Sequence, residues 1–159
     1  MFVVSIKSDK LKIILVICLV AALAVIGGLT YVSMTEVAPA AKIGGVVMKA
    51  STAEERVAFF SQFGWEISED PVSVKEIIIP TEFDDTYTKY NEIQKNQGLD
   101  LEPFKGVRVK QWCYEIRNYP GYETSDGLIQ GTILVYDGIV VGGDICSLEL
   151  DGFMHGFSK

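Results

Sequence analysis

Residues that commonly bind metals or act as nucleophiles are scarce in this chain. Its 159 residues include one histidine, His155, and three cysteines, Cys18, Cys113 and Cys146. A zinc site needs three or four cysteine, histidine or carboxylate ligands, and the sequence has no such cluster. No stretch has the regular calcium-loop pattern, and no glycine-rich loop opens a helix. The sequence therefore predicts neither a metal nor a cofactor.

Basic charge is also scarce. Lysine and arginine number 14 against 21 acidic residues, which gives a net charge of −7. Residues 1–12 hold three lysines and one aspartate, a local charge of +2, so the remainder carries −9. Nucleic acids and anionic lipid surfaces attract basic residues. The balance of charge argues against both as partners of the acidic remainder.

One long stretch has no charge at all. Residues 13–32 are almost entirely apolar, and as a helix they would span about 30 Å, the thickness of a bilayer's hydrocarbon core. Positive residues tend to stay in the cytoplasm. The pattern predicts a cytoplasmic basic tip (1–12), a transmembrane helix or uncleaved signal anchor in membrane lipid (13–32), a linker (33–50) and an extracytoplasmic domain (51–159).

A cleaved signal peptide is the alternative for this segment. Ala38-Pro39-Ala40 has small residues at the two positions that signal peptidase reads, and cleavage near Ala40 would release a secreted domain. The apolar run is longer than the usual 7–15 residues of a signal peptide, which favours a retained anchor.

Two helices are predicted in the domain. The first begins with a capping box at Ser51-Thr52-Ala53-Glu54, carries Val57, Phe60 and Phe63 on one face, and stops at Gly64. The second begins near Asp84 or Asp85 and ends at Gly98. Its apolar stripe has helical spacing and consists of Phe83, Tyr87, Tyr90 and Ile93.

Four strands are predicted around these helices, at 74–79, 107–118, 128–136 and 139–150. The apolar phase of the second strand changes near Lys110-Gln111, which predicts an irregularity there. Asp137-Gly138 is typical of a two-residue hairpin turn, and Gly142-Gly143 predicts a bulge or a close approach. Residues 151–159 are expected to fray. The predicted fold class is α+β, with both helices packed on one face of a mainly antiparallel sheet of four or more strands.

Short motifs spread over residues 54–156 resemble those of a known bacterial family. They are Gly64-Trp65-Glu66, Ile79-Pro80, Tyr90-Asn91, Gln94, Gly98, Asp100-Leu101, Gly106, Asn118-Tyr119-Pro120 and Gly142-Gly143-Asp144. On these motifs the chain resembles an uncharacterised family of Gram-positive membrane-anchored proteins, the domain-of-unknown-function family numbered forty-eight thirty. The resemblance implies an anchored extracytoplasmic domain, and it implies no reaction, ligand or catalytic residue.

Three residues are candidates for binding. Asp144 lies in an otherwise apolar strand, where an ionised group is costly unless it is paired. It either faces a ligand or accepts hydrogen bonds from backbone amides or a tyrosine, tryptophan or lysine. Tyr119 and Tyr122 flank Pro120-Gly121 in a predicted loop, where exposed contact residues commonly lie.

The cysteines of the domain leave two interpretations open. Cys113 and Cys146 both lie in predicted strands, as two buried thiols or as a disulfide. The central strand of a simple meander would separate them, which favours thiols.

The leading functional hypothesis is a noncatalytic, membrane-anchored domain that binds a protein or a cell-envelope component. One alternative is a small envelope hydrolase that uses paired carboxylates. A second alternative is a regulatory subunit of a membrane complex.

Overall fold

The computed structural model describes residues 41–124 and 127–159 of the chain. Within these ranges two helices and a 3₁₀ turn accompany a small hairpin and a larger sheet. The helices are α1 (Ala53–Ser61) and α2 (Asp85–Asn96), and the 3₁₀ turn is Glu102–Phe104. The strands are β1 (Lys42–Ile43), β2 (Val46–Val47), β3 (Ser73–Ile78), β4 (Arg108–Glu115), β5 (Ile129–Tyr136), β6 (Ile139–Ser147) and β7 (Met154–His155).

The larger sheet has five strands in the order β3-β4-β5-β6-β7, and every neighbouring pair is antiparallel. The predicted hairpin turn between β5 and β6 is confirmed. Asp137 and Gly138 both have positive φ, 48° and 75°, as the mirror-image turns that join antiparallel strands require. The predicted α+β class with a mainly antiparallel sheet is therefore confirmed.

The two helices contact opposite faces of the sheet, so the predicted packing on one face is wrong. Gly131 and Thr132 are consecutive residues of β5 and point to opposite faces. A Cβ on Gly131 would lie 2.6 Å from Phe60 of α1. On the other face, Asp144, the β6 partner of Thr132, accepts a hydrogen bond from Tyr90 of α2. The central strand is apolar on both sides because both sides are covered.

The same two-sided burial explains the change of apolar phase in β4. The expected irregularity near Lys110-Gln111 is absent from the described sheet, since β4 pairs in unbroken register with β3 and β5. Val109 belongs to the core cluster on the α2 side, whereas Trp112 packs on the α1 side. The strand therefore changes which face it buries without a bulge.

The predicted irregularity at Gly142-Gly143 is confirmed. Leu134 pairs with Gly142 and Val135 pairs with Val140, so Val141 is the extra residue of a bulge. At Gly143 the backbone approaches its neighbours so closely that a Cβ would overlap the Thr132 carbonyl oxygen and lie 2.5 Å from Phe157 Cζ.

Helix α1 begins one residue later than predicted. Thr52 is its N-cap, and the reciprocal capping box joins Thr52 to Glu55, not Ser51 to Glu54. The buried face follows this shift: Phe59 and Phe60 are buried, and Val57 is 41% exposed.

Arg56 is buried on this helix and holds α1 to its surroundings. Its Nε donates to the Tyr114 hydroxyl at 2.8 Å, and its Nη1 donates to the carbonyls of Ala50 and Ser51. The guanidinium also lies 3.6 Å from the centroid of the Trp112 ring. These neutral acceptors and the ring compensate the buried charge.

The N-cap of helix α2 is Asp84, which is one of the two starting residues predicted from the sequence. Phe83, Tyr87 and Tyr90 pack on the core cluster beneath the helix. Gly98 follows the helix with φ of 81°, a backbone conformation that favours glycine.

Both ends of the described domain differ from prediction. Residues 41–50, expected as linker, form the β1–β2 hairpin and bury Met48 and Ala50 in the core. Residues 151–159, expected to fray, contribute β7 and the buried Phe157. Apolar anchors at these positions compensate the chain entropy that ordering removes.

The predicted membrane segment, 13–32, lies outside the described residues. Among the residues that are described, none of the helices has the length and apolar character needed to cross a bilayer.

Replacing Gly143 with alanine tests the close approach on β6. We expect Gly143→Ala to lower the free energy of unfolding by roughly 3 kcal/mol, because the new methyl group displaces the β5 backbone or Phe157. Gly121→Ala is the matched control, since Gly121 also has a positive φ, 84°, but a Cβ there has no atom within 4 Å. Its cost should be about 1 kcal/mol, from backbone strain alone. Urea denaturation of both variants measures the difference, and equal losses would contradict the assigned close approach.

Candidate functional site

A cleft of about 640 Å³ lies between the C-terminal end of α2 and the segment that begins with β7. Its volume falls within the range usual for ligand pockets, about 300–1,000 Å³. One wall is the C-terminal end of α2, with Ile93, Asn96 and the C-cap residue Gln97. The other lining residues are Trp65, Tyr119, Pro120, Met154, His155, Gly156, Ser158 and Lys159.

Two of the residues that line this cleft, Trp65 and Tyr119, belong to a stack of three aromatic rings. Tyr119 lies parallel to Trp65, with ring centroids 5.4 Å apart and planes 3° apart. Phe153 stacks on Tyr119 at 4.8 Å. The indole N–H of Trp65 donates to the Phe157 carbonyl at 2.6 Å, so the stack is fixed to the C-terminal segment. The rings of Trp65 and Tyr119 are therefore rigid parts of the cleft.

His155 is held by two hydrogen bonds at the edge of this stack. Its Nδ1 lies 2.6 Å from the Gly156 carbonyl oxygen and its Nε2 lies 3.1 Å from the Tyr119 hydroxyl. A carbonyl oxygen only accepts, so Nδ1 donates to Gly156, while Nε2 and the Tyr119 hydroxyl share the second hydrogen bond. The sequence interpretation placed His155 in a frayed tail. In the structure β7 orders it beside Tyr119.

Two glutamines at the C-terminal end of α2, Gln94 and the C-cap residue Gln97, bind the β6 backbone, and Gln97 lines the cleft. Gln94 accepts from the Gly143 N–H at 2.8 Å through its side-chain oxygen. Gln97 donates to the Gly143 carbonyl at 2.9 Å and accepts from the Phe157 N–H at 2.8 Å. The Gln97 amide thus forms the hydrogen bond to the β6 backbone that a residue of a longer β7 would otherwise form. No sequence signal indicated this role, because polar residues near a helix end are common.

The predicted binding residues Tyr119 and Tyr122 lie in different surroundings. Tyr119 lines the cleft. Tyr122 packs against Tyr119 and Phe153, and its hydroxyl donates to Glu149 at 2.7 Å. That hydrogen bond to a carboxylate raises the pKa of Tyr122.

The third predicted binding residue, Asp144, is outside the cleft. It is only 4% exposed, and its carboxylate accepts a hydrogen bond from Tyr90 at 3.0 Å. Burial raises the pKa of Asp144 to about 6, and hydrogen bonds from Tyr90 and Cys146 partly offset that rise. Burial together with the nearby Asp144 raises the pKa of Cys146 to about 12, so its thiol is neutral at pH 7.

These contacts give Asp144 a tyrosine donor, which is the structural alternative raised by the sequence. The groups that shift its pKa include no second carboxylate. The paired-carboxylate hydrolase therefore gains no support at this position. The residues described also contain no group of three or more histidine, cysteine or acidic side chains placed to hold a metal.

A disulfide between Cys113 and Cys146 is excluded by the sheet. Cys113 lies in β4 and Cys146 in β6, with β5 between them, and both are free thiols. Strands lie about 4.8 Å apart, so two strand spacings exceed the Cα separation that a disulfide can bridge. Cys113 instead lies 3.6 Å from the Thr132 hydroxyl.

The buried Asp144 carboxylate predicts a pH-dependent loss of stability. Its pKa rises from 3.8 to about 6 on folding, so the folded state binds the proton more tightly. The resulting stabilisation is fully present below about pH 4 and is lost as the pH rises through 6. At 1.36 kcal/mol per pKa unit, that loss is about 3 kcal/mol.

Asp144→Asn isolates this contribution, because asparagine keeps an acceptor for Tyr90 and cannot ionise. Relative to the wild-type protein, the variant should gain about 3 kcal/mol between pH 4 and pH 7.5 in urea denaturation. Asp151→Asn, at an exposed position, is the control and should leave the profile unchanged. A wild-type profile that runs parallel to that of Asp144→Asn would refute the assignment.

Comparison with known proteins gives one match. A family model described as Domain of unknown function (DUF4830) matches residues 59–145, more than half of the chain. The matched region runs from α1 through the close approach on β6, and it confirms the family resemblance found in the sequence motifs. No curated protein and no solved structure matches the chain. The chain therefore belongs to the DUF4830 family, whose members share a domain of unknown function.

Proposed function

We propose that the chain is a noncatalytic, membrane-anchored extracytoplasmic domain that binds a protein or a cell-envelope component in the cleft. The cleft itself is the observation that carries the proposal, because it combines an apolar wall with polar side chains that converge on the same space. Binding sites in proteins typically have this combination.

The polar groups of the cleft fall into two classes. The Gln97 amide and the His155 ring are engaged in hydrogen bonds within the domain, and they fix the shape of the cleft. Asn96, Ser158 and Lys159 are exposed and line the same space. Because the frame is already ordered, less conformational entropy is lost when a ligand binds to the exposed polar groups at its rim.

Anchoring is the second part of the proposal and is supported by the sequence. The uncharged run at 13–32 is long enough to span a bilayer, and the lysines lie on its N-terminal side. On this proposal the domain, and the cleft with it, lies outside the cytoplasm.

Photo-crosslinking from the cleft tests the binding function. Asn96→benzoylphenylalanine in the full-length protein, irradiated in intact cells, should give a discrete adduct because the residue lines the cleft. Lys75→benzoylphenylalanine, on the exposed edge strand β3, is the control and should not give that adduct. Absence of an adduct at Asn96, or the same adduct from both positions, would count against binding in the cleft.

The orientation has its own test. A fusion of alkaline phosphatase after Lys159 should be active, because the enzyme folds only outside the cytoplasm, and a fluorescent-protein fusion at the same position serves as the reciprocal control. Low phosphatase activity in whole cells, together with bright fluorescence of the second fusion, would show that the domain lies in the cytoplasm.

A further inference from the structure

The outer edge of β7 borders the cleft. Met154 and His155 are the two residues of β7, and both line the cleft although their side chains point to opposite faces of the sheet, so the cleft reaches the strand edge between those faces. Gly156, Ser158 and Lys159, which follow the strand, also line the cleft.

The backbone of Met154 is directed away from β6. The Ser147 N–H donates to the Phe153 carbonyl at 3.0 Å, so that pair is hydrogen-bonded. Hydrogen-bonded and non-bonded pairs alternate along antiparallel strands. The next pair, Cys146 with Met154, is therefore non-bonded, and the N–H and C=O of Met154 point outward. Such groups at a sheet edge can pair with another extended chain.

The cleft differs in charge from the rest of the domain. None of its lining side chains is acidic, although the chain has 21 acidic and 14 basic residues. Lys159 brings an ammonium group 4.6 Å from the centroid of Trp65. Among the ion pairs of the described residues, none involves Lys159. The cleft is therefore complementary to a carboxylate.

Trp65 and Tyr119, which line the cleft, already stack on other groups of the domain. Tyr119 is stacked between Trp65 and Phe153, and the indole of Trp65 also lies beneath Lys159. A nucleobase binds largely by stacking on an aromatic face, and a sugar ring uses the same surface. The geometry therefore favours a ligand that hydrogen-bonds along the strand edge.

We infer that an extended acidic peptide segment binds in the cleft as an additional strand on β7, an inference that rests on the proposed binding function. Its backbone pairs with the outward N–H and C=O of Met154, and an acidic side chain contacts Lys159. Its apolar side chains pack against Ile93 of α2. This is strand addition to a sheet edge, in which backbone hydrogen bonds give affinity and side-chain contacts give selectivity.

Capped peptides provide the test. The probes are a library of acetylated, amidated hexapeptides built from valine, isoleucine, threonine and one aspartate, and a matched library with asparagine in place of aspartate. Binding to the full-length protein in detergent is measured by fluorescence polarisation. The aspartate peptides should bind about tenfold or more tightly than their asparagine counterparts, as expected for a charge-assisted contact. A strand presents every second N–H to its neighbour. N-methylation of the peptide at either the odd or the even positions should therefore abolish binding, and N-methylation at the other set should not.

Variants of Lys159 connect the peptide to the cleft. Lys159→Gln should weaken peptide binding about tenfold, because it removes the positive charge that contacts the acidic side chain. Lys159→Arg keeps that charge and should retain binding. Lys75→Gln on β3 is the control and should change nothing. Thermal unfolding of each variant shows whether the fold is intact.

Several results would overturn the inference. They are equal binding of aspartate and asparagine peptides, tolerance of N-methylation in both phases, or binding that requires a free terminal carboxylate in uncapped peptides. A crosslink at Asn96 with no peptide binding would overturn the peptide assignment and leave the proposed binding function standing. Loss of the Asn96 crosslink itself would instead remove the proposed function.

Discussion

The absence of a side chain at Gly143 is the constraint on which the rest of the structure depends. The β6 backbone there lies against Thr132 of β5 and the ring of Phe157, with no space for a Cβ. Its N–H and C=O are hydrogen-bonded to Gln94 of α2 and to Gln97, the C-cap residue of that helix. The side-chain amides of Gln94 and Gln97 thus supply the hydrogen bonds that a neighbouring strand would make to the Gly143 backbone, beyond the end of β7.

This substitution also forms the cleft. Because Gln97 lies between Gly143 and the Phe157 N–H, the chain after His155 leaves the sheet. Phe157 turns inward to the core, while Gly156 and Ser158 remain at the surface. The cleft is the space that this divergence leaves beside α2. Its shape follows from backbone hydrogen bonding and requires no loop of special length.

Local signals in the sequence predicted the turns, strands and helices well. Asp137-Gly138 and Gly98 were identified because a positive φ restricts which residues fit. Apolar patterns that depend on which sheet faces are buried in the tertiary structure were misinterpreted. The phase change in β4 indicated a bulge only under the assumption of one buried face, and the apolar residues on both sides of β5 were the signal that argued against it.

The cleft was only partly predictable for a related reason. Tyr119 stood out because it flanks Pro120-Gly121 in a predicted loop. Gln97, Lys159 and His155 carry no local signal, since their positions depend on Phe157 anchoring the C-terminal segment in the core. A single buried aromatic ring among glycines is too weak a pattern to predict order in a terminal segment.

The separation of Cys113 and Cys146 by β5 bears on how the domain reaches its native state. A small domain that matures through covalent cross-links depends on the redox conditions of its compartment and on oxidoreductases. Here the native sheet keeps the two sulfurs in separate strands, and packing of the two faces alone specifies the fold. The native state of the described domain therefore does not depend on oxidation of Cys113 and Cys146 to a disulfide.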